Sequence, residues 1–126
     1  MKLSEKQRLN WEKTLKEGSL MDENDVIEEH TAGDLWTFYS QTRGNYFFTK
    51  EKFIFISAFG LEKFSVAYGD ISGMKTCNVG GLIPIIPTGI KVSFMDENGK
   101  MVSKKCSVMK RKNWLAYLVE RGAKEG

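Results

Sequence analysis

Gly44-Asn45-Tyr46-Phe47-Phe48-Thr49-Lys50-Glu51-Lys52-Phe53-Ile54-Phe55-Ile56-Ser57 decides the fold. Two β-favouring runs, Tyr46 to Thr49 and Phe53 to Ser57, flank a charged triplet. Aromatic and β-branched side chains suit a pleated, half-buried surface. A short, fully charged connection suits a solvent-facing tip. The stretch predicts a hairpin, and it carries the densest run of aromatic residues in the chain.

Downstream, Ala58 to Glu62 reads as a turn. Lys63 to Tyr68 then alternates strictly, with Phe64, Val66 and Tyr68 on one face, the period of a half-buried strand. Gly69-Asp70 turns the chain into a fifth strand, Ile71 to Asn78, interrupted by Gly73. Gly89 to Met95 alternates again, placing Ile90, Val92 and Phe94 inward. Asp96-Glu97-Asn98-Gly99 is a hairpin turn whose last two residues suit positive φ, and Met101 to Val108 returns antiparallel. The period then changes. Arg111 to Arg121 is an amphipathic helix with Trp114, Leu115 and Leu118 on its apolar stripe, stopped by Gly122. Such a helix closes one open end of a barrel, with Trp114 and Leu118 plugging the core.

Upstream, Gln41 to Asn45 reads as a turn, and Leu35 to Ser40, including Phe38, as β-favouring. Ala32-Gly33-Asp34 breaks that run from Val26 to Thr31, whose Glu28 and Glu29 suit an exposed edge. Ser4-Glu5-Lys6-Gln7 is a capping box opening a helix over residues 5–17, with Gly18 at the C′ position. So short a helix needs a surface to pack on. Strands at short, regular spacing between two helices make the chain mainly β, a barrel with α+β character. Its division is an N-terminal helix and connection (1–22) followed by one domain (23–126).

The 126 residues, 41% apolar and 28% charged, are enough for one globular core. The first residues are polar, unlike a secretory signal, and no apolar run is long enough to span a bilayer; the expected location is cytoplasmic. Neither Cys77 nor Cys106 lies in a C-x-x-C pair, and His30 is the sole histidine. That count argues against zinc, and the cysteines read as small buried residues in a reducing compartment. No cofactor is implied. Residues 1–37 hold 5 Lys/Arg against 9 Asp/Glu, net −4; residues 38–126 hold 14 against 7, net +7. The simplest account is an acidic lead-in packed on a basic body; the other is an anionic partner.

No G-x-S-x-G, P-loop or H-E-x-x-H motif is present. His30 follows Glu28-Glu29 in a strand-like run with no evident pocket, so the chain reads as a non-enzyme, and no small-molecule substrate is identified. Lys104 and Lys105 fall on opposite faces of a strand. Lys110, Arg111 and Lys112 crowd a helix N-terminus, where an anion would be welcome. Solvation of a charged turn explains them as well, and no nucleic acid is expected. Gly80 to Gly89 is the outlier: Leu82, Ile83, Ile85 and Ile86 stand in a Gly/Pro-punctuated connection. It either folds back on the barrel or presents a wedge for a protein partner or a second copy, flanked by Lys75 and Lys91.

Gly44 through Phe55, of the form Gly-x-x-x-x-Thr-x-x-x-aromatic-Ile-Phe, resembles the start of GRAM and bacterial pleckstrin-homology-like (PH-like) domains. The lead-in Glu23 to Ile27, the element Phe64 to Ile71, Gly89 to Val92 and the final tryptophan helix are similar to theirs in order. The resemblance covers about residues 23–121. It implies a seven-stranded, partly open barrel of two near-orthogonal antiparallel sheets capped by the C-terminal helix, and leaves the first helix outside the pattern. It also implies a binding role. Many such domains hold lipid head groups by cations around the first two strands, for which Arg43, Lys50 and Lys52 are the nearest match. The function expected is therefore a non-catalytic interaction module using the 82–86 loop. The alternatives are a peripheral binder of anionic membrane lipids, and an enzyme whose site is unrecognised.

Overall fold

In the computed structural model, which describes residues 2–37 and 39–126, the hairpin pairs Gly44 with Ser57 and Phe48 with Phe53. Its strands are β2 (Gln41–Thr49) and β3 (Lys52–Ser57). The Thr49 hydroxyl accepts from the Lys52 amide at 2.8 Å and the Glu51 amide at 3.2 Å, which closes the turn, and it donates to the buried Asp25 carboxylate. The Tyr68 hydroxyl donates to the Thr49 carbonyl. The hairpin tip is thus tied to the lead-in before the first strand and to the chain after the fourth.

Tyr46, Phe48, Phe53 and Phe55 face one side and join the main core. Phe47 and Ile54 face the other and are equally buried. Helix α1 (Glu5–Glu17) covers that second side: the Trp11 ring lies 4.9 Å from that of Phe47, and Leu15 is fully buried. Both halves of the Ser4/Gln7 capping box are formed. Left-handed backbone falls at Ser19 (φ 60°) rather than at Gly18 (φ −84°).

The remaining strands are β1 (Ile27–Trp36), β4 (Lys63–Ala67), β5 (Ile71–Val79), β6 (Ile86–Met95) and β7 (Met101–Val108). All pair antiparallel in the order β4-β3-β2-β1-β7-β6-β5, and the sheet is not closed. Its two halves are one hydrogen-bonded sheet rather than two, joined where Gly33–Trp36 of β1 meets Lys105–Val108 of β7. Helix α2 (Arg111–Glu120) fills the opening. Trp114 stacks on Phe48 at 4.4 Å and 6°, and Leu118 is buried.

Three local expectations are corrected. Ala32-Gly33-Asp34 does not interrupt β1; the register shifts instead between Ile27 and Glu29. Gly33 serves close packing, since a Cβ there would stand 2.4 Å from the Ser107 carbonyl and 2.9 Å from the Tyr46 ring. Gln41 to Asn45 is strand, and the turn lies earlier, with the Thr37 hydroxyl accepting from the Ser40 amide. Phe38, expected in the strand before that turn, lies outside the described residues. At the β6–β7 turn only Gly99 has positive φ, because Asp96 accepts from the Asn98 and Lys100 amides.

Phe48→Ala removes the ring between Trp114 and Phe53. Large-to-small changes of this kind cost about 3–5 kcal/mol, so the urea midpoint of unfolding is expected to fall with the m-value unchanged.

Candidate functional site

The β5–β6 connection is built to leave its sheet. Val79 pairs with Ile86 and Cys77 with Gly89, so one strand has an extra residue between the pairs. Pro87 occupies that bulge, where no ladder amide is lost. The strand therefore starts at Ile86, three residues before the expected Gly89. Gly80 (φ 141°) and Gly81 (φ 66°) then turn the chain.

The loop both folds back and faces outward. Gly80, Gly81 and Pro84 share a cleft of about 250 Å³ with Trp36, Ser103 and Lys105. Gly80, Leu82 and Ile83 share a second, of about 450 Å³, with Trp36, Tyr39 and Gln41. The loop base thus lies over the outer face of β7 and β1, beside Tyr39, Ser40 and Gln41. Its aliphatic side chains still point to solvent: Leu82, Ile83 and Ile85 are 72%, 69% and 73% exposed, and Ile86 41%. Trp36 Nε1 is buried with no acceptor among the described residues.

The same outer face carries a row of cations. Alternation that sends Ile90, Val92 and Phe94 into the core sends Lys91 out. Lys91 is directly opposite both Lys75 and Lys105, and Lys105 is opposite Trp36. None of the three is in an ion pair among the described residues. Like charges directly opposite across strands destabilise a sheet. Part of the chain's charge asymmetry is met elsewhere: Asp22, Glu28 and Asp34 of the lead-in pair with Lys52, Arg121 and Arg43. The lysine row lies outside that pairing.

The other candidate cations do not form one site. Arg43 and Lys50 sit at opposite ends of β2, seven residues or about 23 Å apart. Arg43 and Lys52 are already in ion pairs, each at 3.4 Å. Arg111 donates to the Cys77 carbonyl at 2.8 Å and reaches the Gly89 carbonyl at 3.4 Å, so it braces the bulge below the loop. Lys110 is the left-handed residue before α2. Lys112 shares a cleft with Lys75, Met74 and Leu115.

His30 lies in a cleft of about 170 Å³ with Glu5, Arg8, Glu28 and Glu29. Its Nε2 is engaged with the Asn45 amide oxygen at 2.8 Å, and its ring packs 5.0 Å from Phe47. Glu5 and the buried Glu12 are taken up by Arg8. Burial pushes the Cys106 thiol up to about 12. Burial also raises Cys77, against the lowering effect of Lys105, Arg111, Lys91 and Lys75. Neither thiol is a ready nucleophile. No group of three His, Cys, Asp or Glu side chains fit for a metal, and no helix long and apolar enough to cross a membrane, occurs among the described residues.

Sequence reading names Lys75 and Lys91 as flanking the loop but misses the row they form with Lys105. Lys91 and Lys105 are each seven residues from Asn98, so the β6–β7 turn already pairs them. Trp36 gave no such signal, because the fold-back of the loop is set by the bulge.

No family model and no curated protein matches the chain. Solved structures with a similar fold include the C-terminal domain of an unknown protein from Leishmania infantum, with a TM-score of 0.65 at 12% identity, over 90% of this chain and 94% of that one. Another is the hSac2 domain from the human phosphoinositide phosphatase Sac2, with a TM-score of 0.63 at 5% identity, over 98% of this chain and 89% of that one.

Lys91→Glu converts two like-charge cross-strand pairs into attractive ones. At about 0.2–1 kcal/mol per pair, it is expected to raise the urea midpoint in low salt, by less as salt screens the pairs. A fall in stability would mean the row is a structural element.

Proposed function

We propose that the chain is a non-catalytic, PH-like binding module of the GRAM type. It acts in the cytoplasm and engages a protein partner or a second copy through the 82–86 loop. One observation carries this reading: Leu82, Ile83 and Ile85 are each about 70% exposed on a loop whose base is fixed by a bulge and by Arg111. Side chains of this kind gathered at one place mark a contact surface. The strand order with its C-terminal helix supports the PH-like assignment. The engagement of His30 Nε2 by an amide, with two thiols held protonated, supports a non-catalytic role.

A second reading is a peripheral binder of anionic membranes. The unpaired lysine row beside the loop favours it, as does the likeness to a domain of a phosphoinositide phosphatase. On that reading the protein pellets with phosphatidylserine vesicles at low salt and is released as salt rises.

Ile83→Asp with Ile86→Asp places carboxylates on the contact surface without touching the core. Wild-type protein is expected to elute on a sizing column as a concentration-dependent larger species, and the double variant as a monomer. A wild-type profile that is monomeric throughout removes self-association and leaves a heterologous partner as the loop's occupant.

A further inference from the structure

Resting on the protein-binding reading, we infer that the outer face of β5, β6 and β7 receives an acidic, apolar-interleaved peptide segment of the partner. Its carboxylates lie along Lys75, Lys91 and Lys105, and an apolar side chain enters the cleft between Trp36 and the 80–83 turn.

Charge complementarity comes first. Three lysines on adjacent strands, whose backbones span about 10 Å from first to last, form no ion pair among the described residues, although Glu125 lines the cleft beside Lys75. Their mutual repulsion is relieved by anions placed over the row. The neighbouring rows are neutral on β6 and β7: Ser93 and Ser103 share a hydrogen bond at 2.8 Å, and so do Thr88 and Ser107 at 2.7 Å, while Asp34 of β1, opposite Ser107, is paired with Arg43.

Shape separates a peptide from a membrane. A bilayer surface is met by a flat or protruding face, whereas the lysine row ends in two hollows that share Trp36, Gly80 and Gly81. At about 250 and 450 Å³ they are of side-chain size and floored by the indole. Lys105 lines the smaller hollow, so one guest carboxylate and one guest apolar group meet there. The unpartnered Trp36 Nε1–H belongs to the same indole and is a donor without an acceptor. Leu82 and Ile83 stand at the rim of the larger hollow, so the surface in the functional proposal and the cationic row are continuous.

A second copy of this chain is a poorer occupant by charge. Of its lead-in acids, Asp22, Glu28 and Asp34 are in ion pairs within their own molecule, and Glu17, Glu23 and Glu29 are not interleaved with apolar side chains in one extended segment.

The test is a nitrogen-15 NMR titration of the whole chain with an acetylated, amidated hexapeptide alternating glutamate and leucine. Three probes run beside it: the glutamine-for-glutamate peptide, the serine-for-leucine peptide, and phosphatidylserine vesicles. The first peptide is expected to shift the Trp36 indole N–H together with the amides of Lys91, Lys105 and residues 80–83. Each control peptide is expected to bind roughly tenfold or more weakly. Lys91→Gln with Lys105→Gln, exposed or half-exposed positions whose spectrum reports an intact fold, is expected to abolish the shifts. Equal binding of the glutamine peptide, shifts confined to other surfaces, or no shifts at millimolar peptide would overturn the inference. So would lysine-dependent vesicle binding in the absence of peptide binding, which assigns the row to lipid. Loss of the larger species in the Ile83/Ile86 variant alongside a silent titration would leave the loop reading standing and remove this one alone.

Discussion

A β-hairpin buried on both faces is the constraint on which the rest of this molecule depends. Tyr46, Phe48, Phe53 and Phe55 need cover on one side, and Phe47 and Ile54 on the other. A single sheet layer cannot supply both. Helix α2 and the curled sheet enclose the first set, and α1 encloses the second. The Asp25–Thr49–Tyr68 hydrogen bonds pin the hairpin tip between them. Rings at van der Waals distance in offset and edge contacts contribute beyond their buried area. The aromatic cluster therefore holds the fold rather than serving as a recognition surface.

Helix α1 covers the outer side of the hairpin, and α2 packs inside the curl against both the hairpin and β5 and β6. Neither helix covers the outer face of β5, β6 and β7, and there the chain places lysines opposite one another and folds the base of an aliphatic loop back over a tryptophan. Stability favours none of these choices: cross-strand cations repel, and exposed isoleucines gain nothing from the monomer. A local departure from what folding favours points to a contact made outside the chain. The contrast between the sealed hairpin and this helix-free outer face is the physical basis of the binding proposal.

Much of the architecture was legible in the sequence. The Ser4/Gln7 capping box fixed the start of α1, the alternation at Phe64–Tyr68 and Ile90–Phe94 fixed inward faces, and the 3.6-residue period around Trp114 fixed the closing helix. Sequence reading failed where tertiary packing overrides local signals. Gly33 looked like a break because glycine usually is one, yet it makes room for Tyr46 and for β7. Gln41–Asn45 looked like a turn because of Gly44, yet that glycine lies under the Phe55 ring. The unbroken apolar runs of the hairpin, which do not alternate, already implied burial on both faces, and with it a docking place for α1. At the candidate site the aliphatic loop was visible from composition alone. The Lys91–Lys105 pair follows from the β6–β7 turn, but its extension to Lys75 needed the β5 register, and the role of Trp36 needed the bulge at Pro87.

The central claim is that the loop tip is uncovered in the monomer while the hairpin is sealed on both sides. A soluble paramagnetic gadolinium chelate, added to methyl-labelled protein at concentrations where it is monomeric, tests this most directly. The account predicts strong broadening of the Leu82, Ile83 and Ile85 methyls, with those of Leu15, Ile54, Ile71 and Val92 unaffected. Protection of the Ile83 and Ile85 methyls in the monomer, or broadening at Ile54 and Leu15, would contradict it.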